Sequence, residues 1–144
     1  MENMISVRDY LGGAKLIGTP ERDADFVPIV RRGFPVAAVK SLSERVKLSE
    51  ETIYESLRIA KRTAARRKQR AARLKPAESE LLLRLARAFA AATKTLGSEE
   101  KARRWLLSTN RALGSVTPIS LLDTGIGFQA VINVLGRIEY GIFS

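Results

Sequence analysis

The sequence predicts an all-α fold, on three observations. Apolar residues recur at three- and four-residue spacing from about residue 25 onward, helix starts and stops are marked by Ser, Thr, Pro and Gly, and no segment alternates apolar with polar residues as a half-buried strand would. The composition allows such a fold. With 144 residues, 45% of them hydrophobic and 28% charged, the chain can build one full core or two small helical subdomains, and intrinsic disorder is a poor description of it.

Taken in order, residues 1–24 contain Gly12-Gly13 and Gly18-Thr19-Pro20 among scattered apolar positions, which predicts a loosely attached arm with one short helix at most. Phe26, Val27, Ile29 and Val30 then make an apolar helical turn that Gly33 stops. Pro35 opens a helix over Val36 to Lys47, with Val39, Leu42 and Val46 on one face. Ser49 offers its hydroxyl to an unpaired amide of a helix over Glu50 to Leu57, and the two glutamates of its first turn suit the helix dipole. Pro76 suits the first turn of a long helix reaching about Leu96, whose Leu82, Leu85, Phe89, Ala92 and Leu96 form a stripe before Gly97.

Ser98 caps the next helix, in which Trp105 shares a face with Ala102 and Leu106 and is expected in the core. Asn110 and Gly114 shape the turn that follows, and Thr117-Pro118 opens a short helix through Leu121 and Leu122. Thr124 precedes a last helix with Phe128, Val131, Ile132 and Leu135 on one face until Gly136. Thr117, Asp123 and Thr124 read as caps and turn residues. The expected organisation is an arm at 1–24, a helical subdomain at 25–75 and a second at 76–144 that ends in the segment 137–144.

The formal charge of +10 is concentrated. Nine Lys and Arg residues and no acid lie between Arg58 and Lys75, while the remaining 16 bases are nearly balanced by 15 acids. Nine like charges along one segment repel one another, so a helix that merely faces solvent gains nothing from them. Either a polyanion or an acidic protein surface is the expected partner. A helix-turn-helix satisfies the same residues. Ile53, Leu57, Ile59 and Ala64 have the packing spacing, with Glu50–Leu57 as support helix, Arg58–Ala60 as turn and about Lys61–Arg73 as the helix that enters the major groove. Its outer faces carry Lys61, Arg62, Arg66, Arg67, Lys68 and Arg70, which can neutralise phosphates and read guanine edges, and Thr63 can donate to a phosphate. Arg58 stands in the turn where glycine is often preferred.

The chain contains neither Cys nor His. That removes thiol nucleophiles, disulfides, Cys/His zinc sites and imidazole acid–base chemistry, and the acids are scattered at cap-like or surface positions, so no enzymatic activity, metal or cofactor is expected. Residues 1–16 lack a basic lead followed by an apolar core, and no apolar run approaches the roughly 18 residues that span a bilayer. A cytoplasmic protein is the expectation.

From about Pro76 onward the sequence resembles the C-terminal domain of the Xre/ParS/MbcA-type antitoxins. The residues that carry the resemblance are Trp105-Leu106, Asn110, Ala112-Leu113-Gly114, Thr117-Pro118, Leu121-Leu122-Asp123-Thr124, Gly127, Val131 and Arg137-Ile138-Glu139-Tyr140-Gly141-Ile142-Phe143-Ser144. Upstream, Lys61-Arg62-Thr63, Arg66-Arg67-Lys68 and the Pro76 to Ala86 stretch look like the same family's junction, although Ala64 stands where a larger apolar residue is expected. The resemblance implies a bacterial type II toxin–antitoxin role. The partner would be a RES-domain toxin that depletes NAD, held through Arg137, Ile138, Glu139, Tyr140, Gly141, Ile142, Phe143 and Ser144, and the N-terminal half would repress the operon by binding operator double-stranded DNA.

Physical chemistry leaves two readings of the last segment, an apolar tail inserted into a partner cleft or one folded back onto its own core. The competing function is a stand-alone helix-turn-helix regulator whose C-terminal half only dimerises. Symmetric operators favour a homodimer in either case, and the long helix with Phe89 is one candidate interface.

Overall fold

The computed structural model describes residues 7–141, which are helical as expected. After a helical turn at 7–10 come α1 (Ala14–Ile17), α2 (Phe26–Arg32), α3 (Ala37–Val46), α4 (Glu50–Ser56), α5 (Lys61–Gln69), α6 (Pro76–Leu96), α7 (Glu99–Leu107) and α8 (Gly125–Glu139). The backbone folds into two compact units, residues 1–86 and 87–144, so α6 begins in one and ends in the other. No helix among the described residues is long and apolar enough to cross a membrane.

The first unit corrects the expectation of a loose arm. Val7, Tyr10 and Leu11 lie one helical turn apart, and they and Ile17 are all buried. Gly12 and Gly13, both at positive φ, turn the chain sharply between the two short helices, and the Arg45 guanidinium lies 4.5 Å from the centre of the Tyr10 ring. Scattered apolar residues in a glycine-rich segment therefore serve the core. Around them Phe34, Leu42, Ile53, Leu57, Leu74, Leu82 and Leu85 are almost fully buried, each contributing about 1.5–3 kcal/mol by leaving water.

Capping follows the sequence closely. The Ser49 hydroxyl accepts the Thr52 amide at 3.0 Å, and in the second unit Ser98 accepts from Lys101 at 3.1 Å and Thr124 from Gly127 at 2.9 Å. Thr117 makes no side-chain cap; its carbonyl receives the Ser120 hydroxyl instead.

Two helix ends move. The basic helix ends at Gln69 rather than Arg73, because Ala71 adopts left-handed φ, and the Ala71 and Ala72 amides fold back to bond the Lys68 and Arg67 carbonyls. The last helix runs through Gly136 to Glu139, since Val131, Val134 and Leu135 keep one face buried and nothing crowds the glycine.

In the second unit Phe89, Ala92, Ala102, Leu106, Leu122, Val131, Val134 and Leu135 form the core. Phe89 is 1% exposed, which removes it as an interface residue. Trp105, expected in that core, is half-buried at its margin. Gly127 has a steric reason to be glycine, because a Cβ there would stand 1.9 Å from the Leu121 carbonyl oxygen. Only a hydrogen lets the start of α8 lie on the short Pro118–Leu121 turn.

Candidate functional site

α4 and α5 form the paired helices that the spacing predicted. Ile53, Tyr54 and Leu57 of the α4 segment and Ile59 of the turn are buried, and the Ile59 amide reaches back 3.0 Å to the Tyr54 carbonyl. Arg58 holds the turn at φ 60°, a conformation that glycine adopts at lower cost. Ala60 starts α5 with neither a side-chain cap nor an acid in the first turn, which leaves the helix's leading amides to an outside acceptor.

The sequence-predicted basic residues divide into three groups around α5. Ala64 is buried, and the direction opposite it at 100° per residue carries Arg62, Arg66, Gln69 and Arg70, all exposed. None of these arginines has an ion-pair partner among the described residues. Lys61 and Lys68 lie towards α4, where they meet Glu51 at 3.3 Å and Glu50 at 3.1 Å.

The third group corrects the reading of Arg67. Its half-buried guanidinium donates to the Glu78 carboxylate on α6 rather than facing outward. Glu78 also accepts the Lys75 amide at 2.8 Å. Burial works against the Glu78 charge, but the Arg67 and Lys75 hydrogen bonds outweigh it and hold its pKa below the ordinary carboxylate range. Lys61, Arg67 and Lys68 thus have acid partners on neighbouring helices, a compensation that local sequence does not reveal. Thr63 is half-buried on the flank.

A junction behind α5 sets its angle. The Leu74 amide bonds the Phe34 carbonyl at 2.8 Å, the Val36 amide bonds Ala72 at 3.1 Å, and Arg73 donates to the Gly33 carbonyl at 2.7 Å. Gly33 is required there, with φ of 94° and a Leu74 oxygen 2.1 Å from where a Cβ would stand. The buried Ser79 hydroxyl accepts the Phe34 amide at 2.9 Å and ties the same loop to α6.

Gln69 was missed by the sequence reading, which looked for charge. Its signal was position, seven residues beyond Arg62 on the same face, and its amide can pair with an adenine edge as the arginines can with guanine. An exposed stripe of three arginines and a glutamine, on a helix hydrogen-bonded to its neighbours through Arg67 and the Ala72–Leu74 junction, can meet a polyanion.

In the second unit, Asn110 accepts the Ala112 amide at 2.9 Å and exchanges a backbone bridge with Val116, with Gly114 at φ 83° completing the turn. At the end of α8, Arg137 and Glu139 are exposed, Ile138 is half-buried and Tyr140 is 78% exposed. Glu139 receives the Thr95 hydroxyl at 3.2 Å, and Gly141, at φ 70°, follows the helix end. Ile142, Phe143 and Ser144 lie outside the described residues. Two opposite charges and an aromatic ring are thus exposed together at the end of α8, a set of groups that can serve a protein contact. Among the described residues no group of acids is arranged to hold a metal ion.

Comparison with known proteins assigns both regions. Residues 25–87 match the antitoxin Xre-like helix-turn-helix domain, and residues 91–141 match the antitoxin Xre/MbcA/ParS C-terminal toxin-binding domain. The chain is 32% identical over 130 residues to antitoxin Xre of Yersinia enterocolitica, covering 89% of this chain and 88% of that protein. It is 33% identical over 117 residues to antitoxin Xre of Photorhabdus laumondii, covering 81% and 79% respectively.

Proposed function

Because the chain belongs to the Xre family of antitoxins, with a helix-turn-helix domain and a toxin-binding domain, we propose that it neutralises a RES-domain, NAD-depleting toxin by direct contact and represses its own operon. The observation that supports the first half is the exposed Tyr140, next to Glu139 and one helical turn beyond Arg137 at the end of the toxin-binding match. Residues 137–144 enter the toxin's active-site cleft, Tyr140 and Phe143 as aromatic anchors and Arg137 and Glu139 through charge-assisted hydrogen bonds. The NAD chemistry belongs to the toxin; this chain acts without catalysis or cofactor, in the bacterial cytoplasm.

On DNA, Arg62, Arg66 and Arg70 read base edges while Lys61, Lys68 and Thr63 contact phosphates, Lys61 and Lys68 leaving surface glutamate partners, Glu51 exposed and Glu50 half-buried, that hold them by about 1 kcal/mol or less. Arg67 positions α5 through Glu78. A homodimer places two such helices one groove turn apart, about 34–36 Å.

Co-expression with the RES-type toxin gene tests this reading. Full-length antitoxin restores growth and co-purifies with the toxin, and a chain lacking residues 137–144 does neither while still binding operator DNA. Failure of the full-length chain to rescue would favour a stand-alone regulator.

A further inference from the structure

Between α4 and α5 lies an open cleft of about 390 Å³, within the range of small-molecule sites. Its apolar lining comes from Tyr54, Ile59, Ala60, Ala64 and Ala65. Ala64, the buried residue of α5, lines the cleft with no more than a methyl group, so a longer side chain at this position would occupy it. Tyr54 is 4% exposed, yet its buried hydroxyl has no hydrogen-bond partner among the described residues, an expensive arrangement for a group that loses its hydration. Burial, and after it the nearby Glu50 charge, raise the Tyr54 pKa, so the hydroxyl remains a donor at neutral pH.

The polar wall is acidic on balance. Glu50, Glu51 and Glu55 face Lys61 and Lys68, and whereas Glu50 and Glu51 are paired with those lysines, Glu55 has no ion-pair partner among the described residues. We propose that the cleft binds a small amphipathic monocation, with an apolar body against Ala64 and Ala65, a hydrogen-bond acceptor for the Tyr54 hydroxyl and an ammonium beside Glu55. An anion of the same shape would meet the unpaired carboxylate and be rejected. Since α5 forms one wall, occupancy would also change operator affinity; this clause alone rests on the DNA-binding role proposed above.

Tyramine carries the three features and serves as the probe, titrated into the full-length protein while the methyl signals of Ala60, Ala64 and Ala65 are followed by NMR. Saturable shifts below about 10 mM are expected for a ligand of this size. 4-Hydroxyphenylacetate, its anionic counterpart, should bind at least about tenfold more weakly, and Tyr54→Phe should weaken tyramine by a similar factor. Ala64→Leu should abolish the shifts while keeping or raising the melting temperature, which separates a filled cleft from an unfolded variant. Absence of saturable shifts, equal binding of the anion, or unchanged binding to Ala64→Leu would overturn the site. These readouts use free protein, so they stand whether or not α5 reads DNA. Tyramine that binds without altering operator affinity would overturn the effector role.

Discussion

At Ala71 the backbone turns left-handed, φ 49°, and this one exposed residue ends α5 four positions short of where the run of helix formers in the sequence would carry it. A side chain in this conformation costs about 1–2 kcal/mol that glycine avoids. Ala71→Gly should therefore stabilise the protein by about 0.5–1 kcal/mol in urea unfolding, the relief being partly offset by the entropy of the freer unfolded chain. The opposite holds at Gly127. Its absent Cβ makes room for the Leu121 oxygen, so Gly127→Ala should destabilise by about 2–4 kcal/mol and weaken toxin binding. The same variant should leave operator affinity intact, because the steric conflict lies in the second compact unit. Thermal unfolding together with binding to each partner checks both halves. Glycines 33 and 127 were readable only as turn or motif residues; that a carbonyl presses on each is a fact of tertiary packing.

Among the elements, α5 is the one whose surroundings govern its function. Its exposed stripe should carry sequence discrimination, so Arg62→Ala with Arg66→Ala should cost about 1–3 kcal/mol per lost base contact and flatten the difference between operator and random DNA. Lys61→Ala should instead weaken both by a similar factor and lower the slope of log affinity against log salt by about 1. Electrophoretic mobility or fluorescence titrations across a salt series distinguish the two. Behind the stripe, Glu78 has its pKa held below the ordinary carboxylate range against the cost of burial, mainly by the Arg67 hydrogen bond. An acid with a depressed folded-state pKa contributes stability above its unfolded value and loses it as pH falls through the folded value. Stability should thus hold from neutrality to about pH 5 and then decline, and Glu78→Gln should shallow that acid limb in melts taken from pH 7 to pH 3. The helices, the serine caps and the boundary at Gly97 were legible because periodicity and capping are local. The roles of Arg67, Lys61 and Lys68 were not, since their glutamate partners come from other helices, and the buried Val7, Tyr10, Leu11 and Ile17 were hidden by the glycines around them.

For the molecule as a whole, the charge asymmetry seen first in the sequence becomes a division of labour. The basic stripe belongs to the unit matched by the helix-turn-helix family, and the exposed Arg137, Glu139 and Tyr140 belong to the unit matched by the toxin-binding family. Each should therefore be separable by mutation. Inhibition of NAD consumption by the proposed RES-type toxin, with purified antitoxin as wild type, as Tyr140→Ala and as the form lacking 137–144, tests the central claim most directly. Full inhibition by wild type, at least about tenfold weaker inhibition by Tyr140→Ala and none by the truncated form, all with unchanged operator binding, is the expected result. Undiminished inhibition by the truncated form would contradict it and move the toxin contact elsewhere on the second unit.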